Sequence, residues 1–377
     1  MRGVLFAALA ALSSLAGVAH AATLPPPEDP GATTRVVSFA PPPATVTCVG
    51  GTARLVEGAP LPPKTWRVWS PPPVPLLDYA PPKPPTSQVF TFSVNAEGRV
   101  TDLKGGAASY WGTEDQTAII ASWRFAPGAP RSGCSVDAAP TYVPLAEASP
   151  AKLFEIAAVE GRNAAPVVYQ ALNATGDCYK GVRRRPATWV YPDLRPFDDK
   201  SVDPAWAALT FDIDEKGAVR NVKTAVQHGD PALAKATAEA TAKSRFLPGP
   251  ARTGCRTFVK ARPAISAPPA RPENGAFDRP EDACDITREQ MNLPSPMSYP
   301  PAFSSRRVGG WAIVRFDVAP WGQIGAVEVL ASQPTPAFGN AAHMLVNSAR
   351  PKPRPTGYHG CIVPIIYQIP PDSDEPS

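Results

Sequence analysis

The chain has 377 residues, 37 Lys and Arg against 33 Asp and Glu, and a formal net charge of +4. A surplus this small argues against nucleic-acid binding, which concentrates Lys and Arg on one face. Its 50 prolines far exceed the usual ~5%, whereas 44% hydrophobic residues suffice for packed cores and exclude a wholly disordered chain.

Residues 1–21 have the pattern of a signal peptide. Arg2 supplies the positive start, residues 4–19 are apolar, and Ala19-His20-Ala21 is an A-x-A cleavage site. The run is short for a membrane span of roughly 20 apolar residues. Membrane contact is expected only if this segment stays uncleaved. Export implies an oxidising compartment, where an even cysteine count is read as disulfides. Residues 22–47 form a proline-rich N-terminal segment with Pro25-Pro26-Pro27 and Pro41-Pro42-Pro43. Pro71-Pro72-Pro73 and Pro81-Pro82-Lys83-Pro84-Pro85 continue the theme, and such runs act as stiff extended spacers.

From Cys48 onward the chain repeats itself. Its six cysteines fall at nearly equal spacing as Cys48 and Cys134, Cys178 and Cys255, Cys284 and Cys361, and the second of each pair follows a glycine. Six cysteines allow about 15 connectivities; the repeat phase selects the one in which each copy carries its own pair. Between the cysteines, residues 89–94, 208–213 and 312–318 alternate and end in turns containing Gly98, Gly217 and Gly322. Alternation into a glycine turn predicts a β-hairpin with one buried face, completed by residues 100–103, 219–226 and 324–330. Helices of about four turns follow. Thr113-Glu114-Asp115-Gln116 is a capping-box pattern, and Asp230-Pro231 and Thr335-Pro336 place a cap before a first-turn proline.

A last strand is predicted at residues 361–369, at 255–260 and, in the first copy, at 142–145. Pro364 inside that strand predicts a sheet edge, whose free backbone groups can pair with another chain. Residues 150–172 are expected to form one linking helix. The resulting organisation is 48–148 as repeat one, 149–175 as linking helix, 176–265 as repeat two, 266–281 as linker, 282–371 as repeat three and 372–377 as tail. The expected fold class is α+β: three tandem β-β-α-β domains, each an antiparallel sheet with one packed helix and one disulfide.

Residues that could carry chemistry have plainer readings. The four histidines are His20, His228, His343 and His359; His359 lies two residues before Cys361, but the other copies have Ser132 and Thr253 there. Asp212 and Asp214 share a strand face that the other copies do not keep acidic. Arg183-Arg184-Arg185 is read as a solvated loop. No H-E-x-x-H, P-loop, G-x-S-x-G or C-x-x-C pattern occurs, so no catalytic residue, metal ligand or cofactor is expected.

The third copy resembles the C-terminal domain of TonB-type energy transducers. Tyr299-Pro300-Pro301, the strand from Gly309-Gly310-Trp311, the Gly322 turn, the helix and Val363-Pro364-Ile365 follow that family's order. Trp123-Arg124-Phe125 with Pro127-Gly128, and Arg245-Phe246 with Pro248-Gly249, resemble its helix-end signature. The resemblance implies a periplasmic, non-enzymatic protein that binds envelope proteins or receptor peptide segments by strand addition, in support of transport across the outer membrane. The implied edge is Ile362, Val363, Ile365, Ile366, Tyr367, Gln368 and Ile369. Three features depart from the family: the signal peptide in place of an anchor, the threefold repetition and the cysteines. An alternative reading is a structural module that spaces or scaffolds the envelope and contacts peptidoglycan.

Overall fold

The computed structural model describes residues 33–68, 87–105, 113–273, 275–287, 289–294 and 298–370. The expected signal peptide, the expected C-terminal tail and the proline runs at 71–73 and 81–85 lie outside these residues. Among the described residues, antiparallel sheets and a few helices make an α+β fold carrying three disulfides, Cys48–Cys134, Cys178–Cys255 and Cys284–Cys361.

The first part opens with four short strands, β1 (Thr33–Phe39), β2 (Thr45–Cys48), β3 (Gly51–Glu57) and β4 (Lys64–Val68). The predicted hairpin follows as β5 (Val89–Val94) and β6 (Val100–Gly105), then α1 (Thr113–Ser122), β7 (Arg124–Phe125), β8 (Arg131–Asp137) and β9 (Pro140–Pro144). Alternation places Phe90, Phe92 and Val94 of β5 in the core, in one cluster with Ile120 of α1. The sheet order is β6-β5-β8-β2-β3-β7. An isolated Arg99–Arg124 bridge brings β7 back to the start of β6, so the ring of strands closes.

Two expectations fail here. The last strand of the first copy is β8, not residues 142–145; β9 pairs instead with β1 in a separate sheet of order β4-β1-β9. In β8 only Cys134 is buried, so its sequence carries no apolar alternation to betray it. Thr45 to Thr47 of β2, expected before the first copy, lie inside its sheet.

In the second part, Gly161 (φ 54) and Pro166 break the expected linking helix into α2 (Pro150–Glu160) and α3 (Pro166–Asn173). Next come β10 (Pro186–Thr188), β11 (Trp206–Ile213), β12 (Val219–His228), α4 (Pro231–Lys243), β13 (Arg245–Phe246) and β14 (Arg252–Lys260). The main sheet runs β12-β11-β14. Helix α4 covers one face through Ala234 against Ala207 and Leu209. Leu153, Ile156, Val168 and Leu172 of α2 and α3 cover the other, against Ala208 and Phe258. A second helical layer on this sheet was not expected, and it explains why β11 is buried on both faces.

The third part comprises α5 (Pro301–Ser305), β15 (Gly310–Val318), β16 (Ile324–Gln333), α6 (Pro336–Asn347) and β17 (Tyr358–Tyr367), with sheet order β16-β15-β17. Thr335 caps α6 and Asp230 caps α4, each through a side-chain oxygen that accepts a backbone N–H. Phe338, Ala342, Leu345 and Val346 bury the α6 stripe. The linker lies on the other face of the sheet, where Trp311 Nε1 donates to the Pro269 carbonyl at 2.9 Å.

The recurring signatures share one cause. A Cβ on Gly98 or Gly217 would stand 2.0 or 1.9 Å from the carbonyl oxygen of Phe125 or Phe246. Those Phe N–H groups donate back to the glycine carbonyls at 2.9 and 2.8 Å. Gly128 and Gly249 donate to Ala96 and Glu215, both at 3.0 Å. The helix-end signature is thus a clasp between the helix exit and the hairpin turn.

Candidate functional site: the outer edge of β17

Backbone accounting along β17 defines the site. Pro364 has no N–H, and it faces Ile313 of β15 across the sheet. That pair exchanges no hydrogen bonds, so the Pro364 carbonyl points away from β15. By alternation the N–H and C=O of Ile362 and Ile366, opposite Arg315 and Trp311, point outward as well. An outward row of this kind is the template for an added strand.

The equivalent edge meets a different fate in each part. On β8 it is taken by β2, through the Thr47–Ser135 pair and a 2.9 Å bond from Val49 N to Ser132 O. On β14 it is capped by a phenol: the Tyr179 hydroxyl accepts from Arg256 N and donates to Arg256 O, both at 3.3 Å. Tyr179 follows Cys178, and the residue following Cys284 is Asp285, whose carboxylate is bound by Arg354. Among the described residues, β17 has β15 as its only strand neighbour, and beyond it only Ala283, bridged to His359, pairs with the strand.

The lower end of the edge is anchored. The disulfide Cys284–Cys361 ties the lead to the strand, and Cys361 lies opposite Phe316, as Cys255 and Cys134 lie opposite Phe211 and Phe92. Gly360 takes φ +66, and its N–H donates to Asp317 Oδ1 at 2.8 Å. His359 Nδ1 lies 3.0 Å from the same carboxylate oxygen. Arg315 donates to the Asp282 carboxylate from Nη1 and Nη2, and this hydrogen bonding holds the Asp282 carboxyl below the ordinary aspartate range. Beside the strand, Ile313, Ile362 and Pro364 form one wall of a groove of about 240 Å³. Arg271, Pro272, Glu273 and Phe277 form the other.

The structure sorts the sequence-expected edge residues into three groups. Ile362 and Ile366 lie on the groove face, and Ile366 is 41% exposed. Val363, Ile365 and Tyr367 are buried on the helix face. Tyr367 packs on Tyr299 and Phe338, and burial pushes its hydroxyl up to about 12. Gln368 and Ile369 lie past the end of the strand, because the strand begins three residues before Cys361 and stops at Tyr367. The groove wall from the linker was not read from the sequence; its Pro and Gly content marked a spacer and nothing more.

The remaining candidate chemistry is spent on structure. Asp212 accepts from Gly254 N at 3.0 Å and Asn221 at 2.8 Å, and Asp214 from Ala218 N at 2.8 Å. Arg184 donates to the carbonyls of Leu247 and Pro250. No cluster of His, Cys, Asp and Glu suited to a metal ion occurs among the described residues. No helix among them is long and apolar enough to cross a membrane.

This arrangement of α5, hairpin, α6 and edge strand coincides with a family match. Residues 295–370 match the family described as Gram-negative bacterial TonB protein C-terminal. No curated protein matches the chain. Residues 295–370 are thus similar to a non-catalytic periplasmic interaction domain, whose family contacts outer-membrane receptors. The match does not extend over the two earlier hairpin–helix–strand units.

Proposed function

We propose that the protein is a non-enzymatic periplasmic binder that captures an extended segment of an envelope protein, such as an outer-membrane receptor, along β17. The observation that carries this reading is the outward row of backbone groups at Ile362, Pro364 and Ile366, left without a cap of the kind found on β8 and β14. A partner strand would bond to that row and lay alternate side chains into the adjoining groove. The three hairpin–helix–strand units are read as tandem β-β-α-β domains of one ancestry, of which the third keeps the binding role.

Ile366→Pro tests the reading. Its N–H points outward, so proline removes a donor from the binding row and leaves the bonds to β15 intact. In-cell photo-crosslinking from a probe at Ile362 is expected to capture a receptor segment in the wild type and to lose at least tenfold in Ile366→Pro. The circular dichroism spectrum should not change. Crosslinks confined to other parts of this chain would overturn the proposal in favour of a scaffold.

A further inference from the structure

Between α3 and β14 lies a cavity of about 520 Å³, within the roughly 300–1,000 Å³ of ordinary ligand pockets. Tyr169, Tyr179 and Phe258 wall it with aromatic surface. Arg162, Arg183 and Arg256 also line it, and no carboxylate does.

Arg256 is held in place from several sides. Its guanidinium carbon lies 4.2 Å from the ring centre of Tyr179 and 5.6 Å from that of Tyr169. The Tyr179 ring is fixed by its hydroxyl, which bridges the Arg256 backbone. The Tyr169 ring is fixed by a 2.6 Å bond from its hydroxyl to Gly161 O. Nη2 of Arg256 donates to Asn173 Oδ1 at 2.5 Å and to Tyr169 O at 3.4 Å. Nε and Nη1 are buried and find no hydrogen-bond partner among the described residues. Arg183 adds a second cation, its guanidinium carbon 5.5 Å from the Tyr179 ring centre. Burial, with a further contribution from Arg183, lowers the pKa of Arg256 below the usual arginine value.

A buried charged donor without a partner is costly, and a guanidinium is matched in shape and charge by an oxyanion. We propose that this cavity binds a small organic oxyanion. Its carboxylate or phosphate group meets Arg256 and Arg183, and a ring-sized apolar body lies against Tyr169, Phe258 and Pro166. The inference is independent of the β17 edge, which lies on another sheet.

The test is a titration of the 15N-labelled mature chain, followed by NMR, with benzoate, phenyl phosphate and the neutral isostere benzamide. At least one anion is expected to give saturable shifts at residues 169–183 and 256–258. Benzamide should bind at least tenfold more weakly, and Arg256→Gln should weaken the anion at least tenfold while leaving benzamide unchanged. The tighter of the two anions identifies the head group. Arg183→Gln, on an exposed side chain, is expected to weaken the anion at least threefold, and it decides the matter if Arg256→Gln does not fold. No saturable shift with either anion, equal binding of benzamide, or unchanged anion affinity in the folded variants would overturn the proposal.

Discussion

His228 ends β12 with its ring stacked on Trp206 and its Nε2 2.8 Å from Asp203. The hydrogen bond to Asp203 raises its pKa; burial opposes the shift, and the charges of Asp203 and Glu155 add to it. A raised folded value means that the stabilisation is complete below the unfolded value of about 6.5 and is lost as pH rises through the folded value. Urea midpoints should therefore fall between pH 6 and pH 8, and Asp203→Asn should flatten that slope. A second residue-scale pattern recurs in the three hairpins. Asp102, Asn221 and Ala326 take φ of 51, 50 and 49° at matching places in the second strands. Asp and Asn tolerate this left-handed conformation and alanine does not. Ala326→Asn should raise stability by up to about 1 kcal/mol, measured by denaturant unfolding. Neither feature was legible beforehand, since αL residues inside a strand leave no trace in an alternation pattern. The glycines before Cys134, Cys255 and Cys361 were legible, and their reason is now physical: Gly133, Gly254 and Gly360 all have φ near +60°, and their faces touch Val49, Gly176 and Asp282 of the leads.

At the scale of elements, the cysteine pairs join positions 86, 77 and 77 residues apart. Loops of that length are worth up to about 4.5 kcal/mol each in the chain-entropy model. Removing Cys284–Cys361 by paired alanine substitution should cost about 2–4 kcal/mol. It should also loosen the Ala283–His359 bridge, seen as faster exchange of the His359 amide. The hairpins, α4, α6 and the edge position of β17 were readable because each has a local cause: alternation, a capped first turn, a proline within a strand. The last strand of the first part was not readable. The pairing that defines β8 comes from β5 and β2, which lie far from it in sequence, and only Cys134 shows a buried position. The linking helix was half legible: helical structure was expected over residues 150–172, but the break at Gly161 and Pro166 was not.

Over the whole molecule, the first and third parts share one hydrophobic core, while the second has two small clusters of its own and a larger one that takes in Val36 of β1. The junction is specific. Leu103 N donates to Pro334 O at 2.8 Å, and Asp102 and Gln333 exchange bonds of 2.8 and 2.6 Å. Shared burial couples unfolding. Hydrogen exchange should give the slowest amides of β5 and β15 a common opening free energy and denaturant slope, with β11 opening separately. Distinct slopes for β5 and β15 would sink the coupling. No sequence signal announced this association of parts that are not adjacent in the chain, because the residues that form it, Asp102 and Gln333, are ordinary surface types.

The unequal fates of the three sheet edges bear on valence. A tandem array with every edge exposed would be a polymer in waiting, each copy able to accept a strand from its neighbour. Here one edge is sealed by the chain itself and one by the hydroxyl of Tyr179. Of the three last strands that leaves β17 uncapped, so under the proposed function it would take a single partner strand, and removing the Tyr179 hydroxyl would open a second edge of the same kind on β14.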